Sequence, residues 1–269
     1  MDVHLSNAIQ NLDANWASAI CTVADRMDLD RKPAELLAYD LETASLRRLI
    51  QKPHERIICG LAGPAGVGKS TLAKWIADRP RWRRLLNETT RGQREGEIDG
   101  EDARFISDEQ FKARAAAGDY VSVVTRPGRG MYGLSRYEIN EFTRADCSGL
   151  VLIEKPTAVR DVILYARQLA SPMVGLLLYL LPPPPVATFS VTGLTARDGQ
   201  QTTASLEASL GQRQIEEFQS IVDVMAAGDC NVAIVVAEHI DVTKRAIRKL
   251  GILDDATPFT GPRTPATDR

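Results

Sequence analysis

Residues 56–71 read Arg-Ile-Ile-Cys-Gly-Leu-Ala-Gly-Pro-Ala-Gly-Val-Gly-Lys-Ser-Thr. The apolar run Ile57–Leu61 has the length and content of a buried strand, and Leu72, Trp75 and Ile76 beyond it fall at helical spacing. Between strand and helix, Gly63 to Ser70 fills the pattern G-x-x-x-x-G-K-[ST]. Glycines at 63, 66 and 68 let the chain turn tightly and aim several backbone N–H groups at one anion. A helix beginning at Gly68 adds the positive end of its dipole. Gly63, Ala65, Gly66, Val67, Gly68, Lys69, Ser70 and Thr71 are therefore the expected cradle for a nucleoside triphosphate. Lys69 supplies the charge over the β- and γ-phosphates, and Ser70 the hydroxyl for a metal ion, Mg²⁺. The alternative is an ordinary glycine-rich turn, which would leave Lys69 and Ser70 without a task.

Composition sets the outer limits. The chain has 269 residues, room for one ample core, or for one domain with an extension. A net charge of −2 argues against bulk nucleic-acid binding, so no nucleic-acid partner is expected. Cys21, Cys59, Cys147 and Cys230 lie far apart and match no zinc or disulfide spacing, so Cys59 and Cys147 read as small buried hydrophobes. The start of the chain lacks a basic segment followed by an apolar one, and the apolar run Met173–Leu181 is too short to cross a membrane. Those readings predict a cytoplasmic protein with no membrane partner.

Residues 1–55 carry helix-like apolar spacing (Leu5, Ile9, Leu12; Trp16, Ile20, Val23; Leu36, Leu37, Leu41), broken at Lys32-Pro33. They are expected to form a helical extension, packing on the main domain or offering a partner or dimer contact. From residue 56 to 253 apolar runs alternate with helical patterns, which predicts an α/β domain with a central, mainly parallel sheet flanked by helices. Gly149–Glu154, Met173–Leu181 and Asn231–Ala237 are its further strands. Thr192–Gln214 is polar and reads as a mobile cover, and residues 254–269 as a disordered tail.

Ligands of such sheets bind beyond the C-terminal strand ends. There the segment Asn87-Glu88-Thr89-Thr90-Arg91-Gly92-Gln93-Arg94-Glu95-Gly96-Glu97 sets two arginines three apart in a turn-prone stretch. Two guanidinium forks can grip a second phosphate bidentately, each charge-assisted contact giving about 1.5–3 kcal/mol. On charge alone a solvated basic loop is the alternative, since Arg79, Arg81, Arg83 and Arg84 precede it.

Taken together, Gly63–Thr71, Thr89-Thr90-Arg91-x-x-Arg94-x-Gly96-Glu97-x-x-Gly100, Phe105-Ile106-Ser107-x-Glu109-x-Phe111 and Met131-Tyr132-Gly133 resemble guanylate kinase. The resemblance is close over about residues 56–175 and looser to about 250. It implies a P-loop kinase that moves a phosphoryl group from ATP, with Mg²⁺, to a nucleoside monophosphate, GMP or dGMP by default. Lys69 would act on the donor, and Arg91, Arg94 and Tyr132 would hold the acceptor phosphate. Arg197 and Arg213, in the stretch where the family has its lid, would stabilise charge on the transferring group.

Departures concentrate on the base. Asn87 stands where the family has a base-contacting serine, Ala103 where it has a tyrosine, and Ser122 where it has the carboxylate that reads guanine. Leu152 and Glu154 replace an acidic pair at the end of the central strand. Asn87, Ser122 and Glu154 are the candidates for the altered pocket. Two alternatives follow: a kinase of another small phosphorylated acceptor (a modified nucleotide or ribose bisphosphate), and a non-catalytic nucleotide-binding module. The intact triphosphate loop beside an eroded base pocket favours an enzyme.

Overall fold

The structure, a computed structural model, describes residues 56–63, 66–126, 128–169, 173–181, 220–221, 223–224, 227–228, 230–237 and 239–253. The helical extension at 1–55, Ala65, the cover with Arg197 and Arg213, and the tail at 254–269 lie outside the described residues.

In chain order the elements are β1 (Arg56–Ala62), α1 (Lys69–Ala77), β2 (Trp82–Leu85), β3 (Glu88–Thr89), β4 (Arg104–Phe105) and α2 (Asp108–Ala116). They continue with β5 (Tyr120–Arg126), β6 (Gly130–Ser135), α3 (Arg136–Arg144), β7 (Ser148–Leu152), α4 (Ala158–Leu169), β8 (Met173–Leu181), β9 (Asn231–Val236) and α5 (Ile240–Lys249). The main sheet runs β2-β7-β1-β8-β9, and every neighbouring pair in it is parallel. The expected strands at 149–154, 173–181 and 231–237 are all present, shifted by a residue or two at their ends.

Alternation along β1 divides the core. Ile57, Cys59 and Leu61 face one layer, packed with Leu72, Ala73 and Ile76 of α1 and Ile247 of α5. Ile58 and Ala62 face the other, with Phe142 of α3 and Val159, Val162, Ile163 and Ala166 of α4. On that second face Gly149, Ile58 and Gly175 stand side by side across three strands. A Cβ on Gly175 would lie 2.6 Å from Ile163 Cδ1, and one on Gly149 2.9 Å from the Phe142 ring, so the missing side chains let α3 and α4 press onto the sheet. Cys59 is fully buried and its thiol is pushed up to about 12, first by burial, as an inert apolar filler requires. Cys147 is only half-buried.

A second sheet, β4-β3-β6-β5, was not foreseen from the sequence. Its β3–β4 pair is parallel, whereas β3–β6 and β5–β6 are antiparallel. Two of its strands are only two residues long, too short for any periodicity to show. Buried Glu88 of β3 accepts from Arg114 Nη1 of α2 at 2.7 Å and from the Tyr120 hydroxyl of β5 at 2.5 Å, which fastens the small sheet to its helix. Helix α2 itself opens on a reciprocal cap, with Ser107 Oγ accepting from Gln110 N and Gln110 Oε1 accepting from Ser107 N.

The sheets meet at Glu138 of α3, whose residue is only 2% exposed. Its carboxylate accepts from Arg83 Nη2 of β2 at 3.3 Å and from Arg104 Nη2 of β4 at 3.0 Å, one arginine from each sheet. A buried carboxylate that loses its charge also loses the charge-assisted part of both bonds. Glu138→Gln is expected to lower the unfolding free energy by about 1.5–3 kcal/mol, read from urea denaturation. A change below about 0.5 kcal/mol, the scale of an ordinary surface substitution, would show that the two arginines are held by other contacts.

Candidate functional site

The phosphate cradle grows from the C-terminal end of β1. At Gly63 φ is 142°, and a Cβ there would sit 2.6 Å from the Leu180 carbonyl oxygen, so no other residue fits without moving β8. Gly66 (φ 87°) and Gly68 (φ 91°) continue the left-handed turn, and Gly68 is the N-cap of α1. No side chain caps this helix, and its first turn holds no acidic residue. Its first N–H groups therefore face outward as an anion site. Lys69 Nζ donates to the Gly63 carbonyl at 2.6 Å, so the ammonium lies within the loop that its charge would serve. Val67 is buried beneath the loop, while Ser70 and Thr71 are exposed at the helix start.

The acceptor side begins one strand away. Asn87 Nδ2 donates to the Leu152 carbonyl at 2.6 Å, tying the start of β3 to the end of β7, the strand beside β1. Thr90 N donates to the Met131 carbonyl at 3.0 Å, and Met131 N donates to Thr90 Oγ1 at 3.1 Å, so the chain leaves β3 in a fixed direction. Arg91 follows at once. Its Nη1 and Nη2 donate to the two oxygens of Glu97 at 2.6 and 2.7 Å, a bidentate fork. Arg94 donates its backbone N–H to Glu97 at 3.0 Å, and its Nη1 lies 3.8 Å from the same carboxylate. The two arginines singled out in the sequence thus converge on one anion, which the chain itself supplies.

Asp102 joins this loop to the phosphate helix. It meets Lys74 of α1 at 3.1 Å and Arg84 of β2 at 3.2 Å, and accepts from Ile98 N at 3.0 Å. Burial opposes ionisation at both Glu97 and Asp102. At Glu97 the Arg91 fork, the Arg94 N–H and both charges outweigh it; at Asp102 the Ile98 N–H, Lys74 and Arg84 do the same. Both carboxyls are held below their ordinary values.

Tyr132 stands on β6 opposite Thr89. Burial first, then the charge of Glu154, raise its phenol above the ordinary value, against the pull of Arg91, Arg94 and Arg129. The charges of Arg91 and Arg94 thus reach the Tyr132 phenol. Glu154 lies two residues beyond β7 and pairs with Arg126 Nε at 3.6 Å. Ser122 is on β5 beside Leu134, and Ala103 is buried. A cavity of about 580 Å³ opens next to Arg91 and Arg94, bounded by Lys112 of α2, Arg126 of β5, and Arg129 in the β5–β6 turn. Lys112, Arg126 and Arg129 were missed in the sequence, although the turn signal Pro127-Gly128-Arg129-Gly130 was there to place two of them.

Against known proteins, the guanylate kinase family model matches residues 55–224, more than half of the chain. The chain belongs to the guanylate kinase family. It is 32% identical to the guanylate kinase of Frankia casuarinae over 187 residues, 65% of this chain and 95% of that one. With the guanylate kinase of Bifidobacterium longum it shares 32% identity over 113 residues, 42% of this chain and 58% of the relative. With that of Helicobacter pylori it shares 44% over 62 residues, 23% of this chain and 30% of the relative. The chain thus spans little more than half, or less, of some curated relatives that it matches. Guanylate kinase from Anaplasma phagocytophilum superposes with a TM-score of 0.47 at 16% identity, covering 74% of this chain and 85% of that one. Among the described residues no helix is long and apolar enough to cross a membrane, and no group of three or more His, Cys, Asp or Glu residues could hold a metal ion.

The depressed carboxyls carry a pH signature. Their folded values lie below the unfolded values of about 4, so their stabilisation is complete above about pH 5 and is lost as pH falls through the depressed values. The double variant E97Q/D102N is expected to flatten the acid limb of a urea-stability profile between about pH 5 and pH 3. An acid limb as steep as that of the parent would mean that other carboxylates govern it.

Proposed function

We propose that the chain transfers the terminal phosphoryl group of ATP to a nucleoside monophosphate, with GMP or dGMP as the default acceptor. The observation that carries this reading is the joining of two anion sites by short contacts. The uncapped start of α1, with Lys69 in its loop, is tied through Lys74 and Asp102 to the loop that presents Arg91 and Arg94.

The residues present suit ATP and Mg²⁺. Left-handed glycines, outward helix N–H groups and Lys69 fit a triphosphate, and Ser70 offers the single protein hydroxyl that Mg²⁺ takes when phosphates and water fill its remaining positions. ATP with Mg²⁺ supplies an activated phosphoryl group. Lys69 offsets charge on the donor side, while Arg91 and Arg94 hold the acceptor phosphate with Tyr132 beside it. One acceptor oxygen forms the new bond to the γ-phosphorus as the bond to the β-phosphate oxygen breaks, and ADP leaves. An acceptor phosphate that enters as the dianion needs no general base, so positioning and charge neutralisation carry the step. Arg197 and Arg213 are assigned the charge on the transferring group. Asn87, Ser122 and Glu154 border the remainder of the acceptor.

A panel of GMP, dGMP, AMP, dTMP and sugar phosphates with ATP and Mg²⁺ tests the reading by ADP release. Acceptor-dependent release supports it, and ATP binding without release on any acceptor would overturn it. Lys69→Ala is expected to cut turnover by about 10³-fold or more while the fold is kept, since transition-state cations in phosphoryl transfer carry factors of about 10³–10⁵. Arg91→Ala is expected to raise the acceptor KM and leave ATP binding nearly unchanged.

A further inference from the structure

In-line transfer between two phosphates depends on how firmly one binding loop is held relative to the other. On the main-sheet side, the chain leaving β7 is fastened to the foot of the phosphate loop. Ile153 is buried and donates its backbone N–H to the Leu61 carbonyl at 2.9 Å, two residues before Gly63. Glu154 follows directly, so its carboxylate is carried on backbone tied to β1.

On the small-sheet side, Arg126 ends β5 and stands opposite Gly130, the first residue of β6. Gly130 has φ 102°, and a Cβ there would sit 2.8 Å from Arg91 N and 3.2 Å from Arg91 Cα. A bare glycine is what lets the start of β6 rest on the Arg91 backbone. Any displacement of the β5–β6 end therefore reaches the acceptor loop.

Arg126 and Glu154 meet between these two fixed points. Arg126 Nε lies 3.6 Å from Glu154 Oε2, with 13% and 24% of the side chains exposed. Partial burial leaves such a pair less screened than one in open solvent. The charge of Glu154 also reaches Arg91 and Tyr132, which places it within the acceptor site and not on remote surface. Contacts thus run from Leu61 through Ile153, Glu154, Arg126 and Gly130 to Arg91, a path separate from the one through Asp102.

We infer that Glu154 is a positioning residue: through Arg126 it holds the β5–β6 end, and with it the Arg91 backbone, at a fixed place relative to the phosphate loop. The inference rests on the kinase reading for its effect on rate, whereas the clasp itself is present without ligand.

The experiment has two arms on the full chain. In the first, native-state hydrogen exchange without ligand compares the parent with E154Q. Amides at 128–132 are expected to exchange about threefold faster or more in the variant, as the loss of a local contact requires, while those of β1 and β7 keep the parent's rates. In the second, ADP release is followed with ATP, Mg²⁺ and GMP. In E154Q kcat is expected to fall about threefold or more, well inside the 10²-fold that a 1 Å misplacement can cost, with the GMP KM within about threefold of the parent's. R126M is expected to show both signatures from the other end of the contact, and R126K, which keeps the charge, to lie nearer the parent. The double variant E154Q/R126M is expected to be no more than about twofold slower than the slower single, as for two residues acting through one contact. Unchanged exchange at 128–132, equal acceleration across β1 and β7, a higher GMP KM at unchanged kcat, or multiplying effects in the double variant would each overturn the inference. The expected exchange pattern with no turnover of any acceptor would defeat the kinase reading alone, and turnover of GMP with kcat unmoved in E154Q would defeat this inference alone.

Discussion

One buried carboxylate sets the distance between the two halves of this molecule. Glu138 lies inside α3 and receives an arginine from each sheet, so the main sheet with its phosphate loop and the small sheet with its arginines share one anchor. Neither half would form a two-ended site alone. Asp102 repeats the arrangement nearer the surface by bridging α1, β2 and the arginine loop. Ion pairs of this kind give modest net stability, because desolvation offsets much of their attraction. What they supply here is geometry: the glycine loop and the arginine loop are held in register before any ligand arrives.

The donor half was readable from the sequence because its physics is local. A strand, a glycine loop and a helix in sixteen consecutive residues constrain one another, and Gly63, Gly66 and Gly68 take the tight-turn conformations that the pattern implies. Four strands of the main sheet were readable for a similar reason, since buried parallel strands appear as continuous apolar runs, whereas the edge strand β2, Trp-Arg-Arg-Leu, carries no such run. The small sheet was not. Its β3 and β4 are two residues long, and its register is fixed by Thr90 bonding to Met131 some forty residues away, which no local period records.

At the acceptor site, sequence identified residues but not their partners. Arg91 and Arg94 stand together as expected, yet Glu97, a residue of the same motif, is what gathers them. Asn87 and Glu154 were weighed as base readers, and their bonds to Leu152 and Arg126 emerge only when β7 and β5 are brought alongside. Lys112 and Arg129 were not singled out, because their approach to one cavity depends on a helix and a turn that meet through the small sheet.

The fork between Arg91 and Glu97 also makes entry to the site an exchange of ions. Both guanidinium nitrogens are already satisfied at 2.6 and 2.7 Å, so a newcomer gains only the difference between its own bonds and those it displaces. A chloride ion or a lone carboxylate presents no more charge than Glu97 and gains little by replacing it. A phosphate dianion brings twice the charge and three oxygens, enough to take both arginines at once. The internal carboxylate thus stands as a resident competitor, and any incoming anion must displace it.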